Sequence, residues 1–398
     1  MSAHPDPADA PDAPVESVAA ALRDAPFVRV VCRADGDALA AGGLVARSLR
    51  TVGVPFHVRA VAFPEADAAS SSEDDTLVSV GMRVPGADAT IAPGDGTTSL
   101  RAHGVAEALT PEGETGPDPL LALAGVVAAG DHPGAADGSL LTVAEQTGAV
   151  ERRPGIAAPV EDVADGLAHG TLAHASFSGD REAATAALAE LGLPAELDAE
   201  AHRTVASLLA LDVAGDDAAT PRAAESVERA LRPYATPDAT FATLGGFADV
   251  LDAAARERPG TGVALALGHD ARVPALDAWR DHATAVHAGI REGRSGRYES
   301  VFVVRATKET ADSVGRLATV ARLVRDFRSP EPVVLAVGNG LAAVAAVERG
   351  AADAASAVAD EFGDDGGAWN GDARRAVARF DADAEEAEVI AAVREAST

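Results

Sequence analysis

Val30-Val31-Cys32-Arg33-Ala34-Asp35-Gly36-Asp37-Ala38-Leu39-Ala40-Ala41 is the stretch on which the reading of this chain turns. Its first residues close a short, continuous apolar run, Phe27–Val31, the pattern of a strand buried on both faces. Asp35-Gly36 reads as a turn, because Gly accepts backbone angles that other residues avoid and Asp bonds its own backbone. The Ala-rich continuation predicts a helix over Leu39–Leu49. A buried strand, a tight turn and a helix in so short a span open an α/β unit. Cys32 is the single cysteine, which excludes an intramolecular disulfide and a Cys-based zinc site; inside an apolar strand it reads as a buried, inert thiol.

The alternation of strands and helices continues. Pro55–Phe63, Leu77–Val80 and Ala89–Ala92 read as strands, with an acid- and Ser-rich loop at Asp67–Asp75. Leu120–Ala129, Leu140–Thr147 and Arg181–Leu191 read as helices, the last stopped by Gly192 and Pro194. Residues 212–227 are rich in Asp and Ala with a Pro, and read as a linker. Beyond it Gly262–Leu267, Ser300–Arg305, Pro332–Val337 and Ala373–Phe380 read as strands. Val314–Phe327 is an amphipathic helix with Leu317, Ala321 and Val324 on its apolar face and Arg316, Arg322 and Arg325 on its polar one. Asp360–Gly371 reads as a loop and Asp383–Val393 as a closing helix. This pattern predicts an α/β protein with a parallel sheet covered on both faces, followed by a smaller α/β unit.

The 398 residues suffice for two domains, and 47% hydrophobic content argues for a folded core. The formal charge of -29, with Lys308 the one lysine, resembles the composition of extreme halophiles. Such acidity would oppose nucleic-acid binding at ordinary salt. At about 1 M salt the Debye length is about 3 Å, so local arginines decide. Met1–Pro14 has no apolar core and reads as a disordered leader, not a signal peptide. Leu120–Ala129, the longest apolar stretch, is too short to cross a bilayer, so no membrane partner and a cytoplasmic location are expected. Gly338-Asn339-Gly340 lacks the full dinucleotide fingerprint, and Gly36 to Gly43 lacks the Lys-Ser/Thr of a phosphate-binding loop.

The opening stretch resembles the first metal loop of the DHH phosphoesterases, the RecJ-like nucleases, whose pattern is His-x-Asp-x-Asp-Gly. Val31 stands at the His and Arg33 at the first Asp; Asp35 and Gly36 remain. Such enzymes hold two divalent cations about 3.5–4 Å apart on carboxylates and imidazoles, which activate water and grip the phosphate. In Leu77-Val78-Ser79-Val80-Gly81, Ser79 replaces the next Asp. No Asp-His-His occurs; Ile91-Ala92-Pro93-Gly94 stands in its region. Leu123-Ala124-Gly125-Val126-Val127-Ala128-Ala129-Gly130-Asp131 resembles the late helix that ends in a ligand Asp. The resemblance thus leaves Asp35 and Asp131 as residual metal ligands, with Asp37, Asp95 or His132 as compensating donors in an active protein. Asp37 otherwise reads as a helix-start residue and His132 as a surface histidine.

The resemblance runs on through His169-Gly170-Thr171, Phe177-Ser178-Gly179-Asp180 and Leu188-Ala189-Glu190-Leu191-Gly192, the layout of archaeal RecJ-like proteins associated with GINS. Phe241–Leu251 resembles the start of the DHH-associated C-terminal domain. Asn370-Gly371-Asp372-Ala373-Arg374-Arg375 fits the frame of that domain's Gly-Gly-Gly-His loop, with Asp372 at the His. Arg374, Arg375 and Arg379 are the nucleic-acid-binding residues this implies; in a strand, Arg375 and Arg379 share a face opposite Arg374.

The resemblance implies a two-domain DHH phosphoesterase architecture: a leader at 1–14, a DHH-like domain at 15–211, a linker at 212–227 and a DHH-associated domain at 228–398. It implies a catalytically degenerate member with no catalytic residue and no cofactor, acting as a scaffold or single-stranded-DNA contact in replication or repair, with GINS and MCM components as partners. The alternative it leaves is an active single-strand exonuclease or phosphoesterase using Mn²⁺ or Mg²⁺. A third reading is an unrelated α/β protein binding a small ligand.

Overall fold

The computed structural model describes residues 14–64, 74–92, 96–134, 138–194, 196–363 and 366–397. The expected leader, except Pro14, lies outside the described residues, as does Pro93–Asp95.

The chain opens with α1 (Val15–Asp24), β1 (Val28–Arg33), α2 (Gly36–Val52), β2 (Phe56–Val61), β3 (Thr76–Val80), β4 (Ala89–Ile91), α3 (Thr98–Leu109), α4 (Pro119–Ala129) and α5 (Ser139–Gln146). The four strands form one parallel sheet in the order β2-β1-β3-β4, with Val31 opposite Arg59 on one side and Ser79 on the other. Its first strand is buried on both faces, as the continuous apolar run requires. Helix α2 is buried along most of its length, which its Ala and Gly residues permit.

A largely helical stretch follows: β5 (Glu151–Arg152), α6 (Val163–His169), α7 (Arg181–Ala189), α8 (Ala199–Gly215), α9 (Pro221–Ser226), β6 (Tyr234–Ala235), α10 (Leu244–Glu257), α11 (Pro259–Ala266) and α12 (Arg272–Glu292). Strands β5 and β6 form a short antiparallel pair. The segment 212–227 finishes α8 and forms α9, whose Arg222 donates to the Ser329 and Glu331 carbonyls. Helices α10 and α12 pack into the first sheet's core: Val250, Leu251 and Trp279 join Val30, Leu39 and Val78 there.

Gly262–Leu267, expected as a strand, belongs to α11 instead. Pro259 at the first turn starts a helix, and a short apolar run does not by itself separate strand from buried helix. Gly262 lies against Leu39 of α2 with no room for a side chain: an added Cβ would come 2.8 Å from the leucine methyl.

The last part contains β7 (Arg294–Tyr298), β8 (Val301–Arg305), α13 (Val314–Phe327), β9 (Val333–Val337), β10 (Leu341–Ala346), α14 (Ala351–Phe362), β11 (Ala368–Gly371), β12 (Arg375–Arg379) and α15 (Glu386–Ala396). Its sheet runs β11-β12-β10-β9-β8-β7; β8 and β9 are parallel and the other pairs antiparallel. Successive residues of β9 alternate between faces. Val334 and Ala336 meet Leu317 and Val324 of α13, while Val333 and Leu335 meet Val358 of α14 and Val389 of α15. The two domains meet where the carboxyl end of β1, the end of α4, the middle of α13 and the turn between β11 and β12 converge. The carboxyl edge of a parallel sheet is where α/β proteins build ligand sites.

Candidate functional site

The β1–α2 loop is held by its own acidic residues. Asp35 caps α2, its Oδ1 accepting from the Ala38 N–H at 2.9 Å, and its other oxygen accepts from Arg33 Nε. Between them the Gly36 N–H donates to Asp252 Oδ1 of α10 at 2.9 Å. Asp252 is gripped by Arg256 at 2.9 and 3.1 Å. Burial alone would raise its pKa, but the guanidinium outweighs burial and holds the carboxyl well below the usual range. Asp37 also lines the cleft, but its oxygens are engaged. Its two oxygens accept from the Thr98 and Ser99 N–H groups, each at 2.9 Å, so it caps α3 from across the fold. Burial, and then the neighbouring Asp35, raise its pKa against those bonds.

The other ligand positions carry packing instead. Val31 lies in an apolar cluster with Val61, Leu77, Met82 and Val84. Ser79 is fully buried, its hydroxyl 2.8 Å from that of Thr90 on the neighbouring strand. His132 is exposed; its Nδ1 accepts from the Gly134 N–H at 2.9 Å and its Nε2 is 3.1 Å from the Tyr234 hydroxyl. Asp131 lies at the cleft, 3.9 Å from Arg374. Asp95 is outside the described residues.

The second domain completes the site. Asn370 donates to the Ala62 carbonyl at 3.1 Å, tying β11 to the end of β2. Gly371 has φ 152°, and a Cβ there would lie 2.4 Å from Ala376 Cα. Asp372 accepts from the Arg374 and Arg375 N–H groups at 2.9 and 3.0 Å and stands 3.6 Å from Arg33 Nη1. Burial raises its pKa, yet Arg33 and Arg375 hold it lower than usual. Arg375 donates to the Ala128 carbonyl at 3.2 Å and to that of Ala129, the C-terminal carbonyls of α4, where a cation is favoured. Arg379 lies 5.1 Å over the Phe63 ring and donates to the Gly366 carbonyl.

Arg33 therefore bridges Asp35 and Asp372 across the domain boundary. Among the described residues no three of His, Cys, Asp and Glu stand together as ligands for an ion. The donors do not fit the Mn²⁺ or Mg²⁺ that the resemblance implies: a guanidinium lies on Asp35, Asp37 is spent on α3, and Asp131 faces Arg374.

Sequence reasoning missed most of the arginines that surround the cleft. Arg33, Arg322 and Arg375 line both of its compartments, of about 190 and about 80 Å³. Arg229, Arg325 and Arg374 line the larger and Arg256 the smaller. Arg322 and Arg325, expected on the polar face of α13, are only 8% and 6% exposed. Their face of the helix meets the rest of the chain, which the helical period alone does not reveal. Arg374 precedes β12, so the strand alternation does not govern it, and it lines the same compartment as Arg375.

A family model described as "Uncharacterized protein rrnAC1427, C-terminal domain" matches residues 293–395. The uncharacterized protein rrnAC1427 of Haloarcula marismortui is 45% identical over 399 residues, 98% of this chain and 98% of that protein. CDC45 from Entamoeba histolytica superposes with a TM-score of 0.55 at 8% identity, covering 96% of this chain and 98% of that one. RecJ from Thermus thermophilus in complex with Mg²⁺ superposes with a TM-score of 0.46 at 16% identity, over 96% of this chain and 52% of that one. The chain thus spans about half the length of that RecJ. The likeness to CDC45 extends over both domains, and the two chains share this two-domain fold.

Proposed function

We propose, from the premise that this chain belongs to the family of the Haloarcula marismortui protein rrnAC1427, that it is a catalytically degenerate DHH-type protein working as a replication or repair scaffold that contacts single-stranded DNA. The observation that carries this is Arg33, seated between Asp35 and Asp372 where a divalent ion would have to be held. At about 4 Å and an effective dielectric of about 20, a guanidinium and a divalent cation repel by roughly 8 kcal/mol. Two carboxylates already paired with arginine do not offset that.

The geometry favours holding the domains together over turning over a substrate. Among the contacts that cross the cleft are Arg33 to Asp372, Asn370 to Ala62, Arg375 to the end of α4, and Arg374 to Asp131. Exposed Arg374 and Arg379 remain for a DNA backbone, with GINS and MCM components as protein partners by the family resemblance. The fold shared with CDC45 supports the reading. Among the described residues no helix is long and apolar enough to cross a membrane.

Incubation with labelled single-stranded DNA and Mn²⁺ in concentrated KCl tests it. The expected result is no release of nucleotides, together with capture of a GINS subunit by the chain. Turnover abolished by Asp35→Ala and by Asp131→Ala would establish an active phosphoesterase and overturn the proposal.

A further inference from the structure

We propose that the free edge of β7 is a docking strand that takes an acidic, extended segment of a partner protein by β-sheet addition. This adds a partner surface to the scaffold reading. It rests on β7 alone and stands whether or not the cleft turns over a substrate.

Strand β7 ends the six-stranded sheet; the opposite edge, β11, is tied to the first domain through Asn370 and Ala62. The register pairs Tyr298 with Val301, Gly296 with Val303 and Arg294 with Arg305. Successive residues of a strand aim their backbone groups at opposite neighbours. Just past β8, Ala306 gives its N–H to Val337 of β9 at 2.9 Å, so Phe302 and Val304 face β9 while Val301, Val303 and Arg305 face β7. The N–H and C=O of Ser295 and Arg297 therefore point outward, away from β8. Among the described residues no strand pairs with that side, and four of the five residues of β7 are exposed. An open strand without proline or bulge is a template for another chain.

Charge selects the partner. From Arg291 to Lys308 the chain has five basic residues and two acids, in a protein with 33 basic residues, 62 acids and a net charge of -29. Arg297 and Arg305 already hold carboxylates, those of Glu331 and Glu386. Arg294 is exposed and makes no ion pair among the described residues. Tyr298, 38% exposed, shares its face of the strand. Any charge discourages two like edges from pairing. A chain this rich in acids places arginine here instead, which repels a second copy and attracts a carboxylate across the strand pair. Nucleic acid fits less well. Its phosphates are acceptors only and would leave the Ser295 and Arg297 carbonyls without a donor. An extended peptide offers an N–H and a C=O at every second residue and satisfies both. Arg294 and Arg297 lie on opposite faces, so the segment that suits them carries acids three positions apart.

Fluorescence anisotropy at constant KCl uses three labelled heptapeptides: Thr-Glu-Val-Thr-Glu-Val-Thr, the same peptide with its central amides N-methylated, and one with Arg in place of Glu. Saturable binding of the first is expected. Methylation should weaken it about tenfold or more, because it removes donors that a purely electrostatic contact does not use. Ser295→Pro should also weaken it, since it deletes an outward N–H and no bond to β8. Arg294→Glu should cost the acidic peptide about fivefold and shift preference toward the Arg peptide. Should Ser295→Pro fail to fold, the methylated peptide makes the same comparison on the unaltered chain. No saturable binding, or binding indifferent to methylation, overturns the inference. An oligodeoxynucleotide that binds in the peptide's place and is weakened by Arg294→Glu would assign the edge to nucleic acid, and a dimer that Ser295→Pro dissolves would assign it to a second copy; either overturns it. Mn²⁺-dependent turnover would sink the scaffold reading and leave these measurements standing.

Discussion

The β1–α2 loop carries Arg33, Asp35 and Asp37; the β11–β12 turn that faces it carries Asp372, Arg374 and Arg375. In the first loop the carboxylates accept mainly from backbone N–H groups within their own domain, Asp35 from Ala38 and Asp37 from Thr98 and Ser99. In the second, Arg375 donates to backbone carbonyls of the other domain. A carboxylate committed to a helix cap has little left for a cation. A guanidinium has five donors, and after two bonds several remain. On the scaffold reading proposed above, the cleft's poor fit to a cation comes from how its acids are employed as much as from the residues that stand at the expected ligand positions.

The largest expected effect lies beneath the first loop. Asp252→Ala strands Arg256 in the interior and orphans the Gly36 N–H, so denaturant unfolding should show a loss of roughly 3–5 kcal/mol. A change under about 1 kcal/mol would mean the loop does not depend on α10. Asp37→Ala should cost about 1–3 kcal/mol by uncapping α3, equally with and without Mn²⁺. If the cost appears only with Mn²⁺ present, Asp37 is a ligand and the contrast between the loops fails.

Arg33→Asp probes the same contrast from the other side, by converting the bridge into a third carboxylate beside Asp35 and Asp372. The melting temperature of that variant should rise with Mn²⁺, by the equivalent of roughly 1.4 kcal/mol when the ion is about tenfold above its Kd. The unaltered chain should show no rise.

The smallest effect is in pH. Asp372 has a depressed folded pKa, so its contribution is present above the unfolded value of about 3.9 and is lost as pH falls through the folded one. Asp37 has a raised folded pKa, so its contribution is present below that unfolded value and is lost as pH rises through the folded one. Stability profiles of Asp372→Asn and Asp37→Asn should therefore depart from the unaltered chain with opposite slopes in acid. Parallel profiles would show that the two loops are electrostatically alike.

Much of the frame was legible in the residues. Phe27–Val31, Leu77–Val80 and Pro332–Val337 are strands because continuous apolar runs of that length are buried on both faces. The turn at Asp35-Gly36 and the substitutions at Val31, Arg33 and Ser79 were legible too. The run at Gly262–Leu267 was not, since Pro259 recruits it into a helix. The roles of Asp252 and Arg322 were hidden for another reason. Asp252 serves a loop 216 positions away, and Arg322 meets Thr171 at 151.

What the residues dictate on their own is local: which segments are extended or helical, and which metal-binding side chains are absent, because periodicity and side-chain chemistry act over a few positions. Three-dimensional packing alone settles that Asp37 caps α3, that Arg33 reaches Asp372, and that α13 turns two arginines inward. Those outcomes depend on which faces pack together, and burial then sets which charges must find a partner.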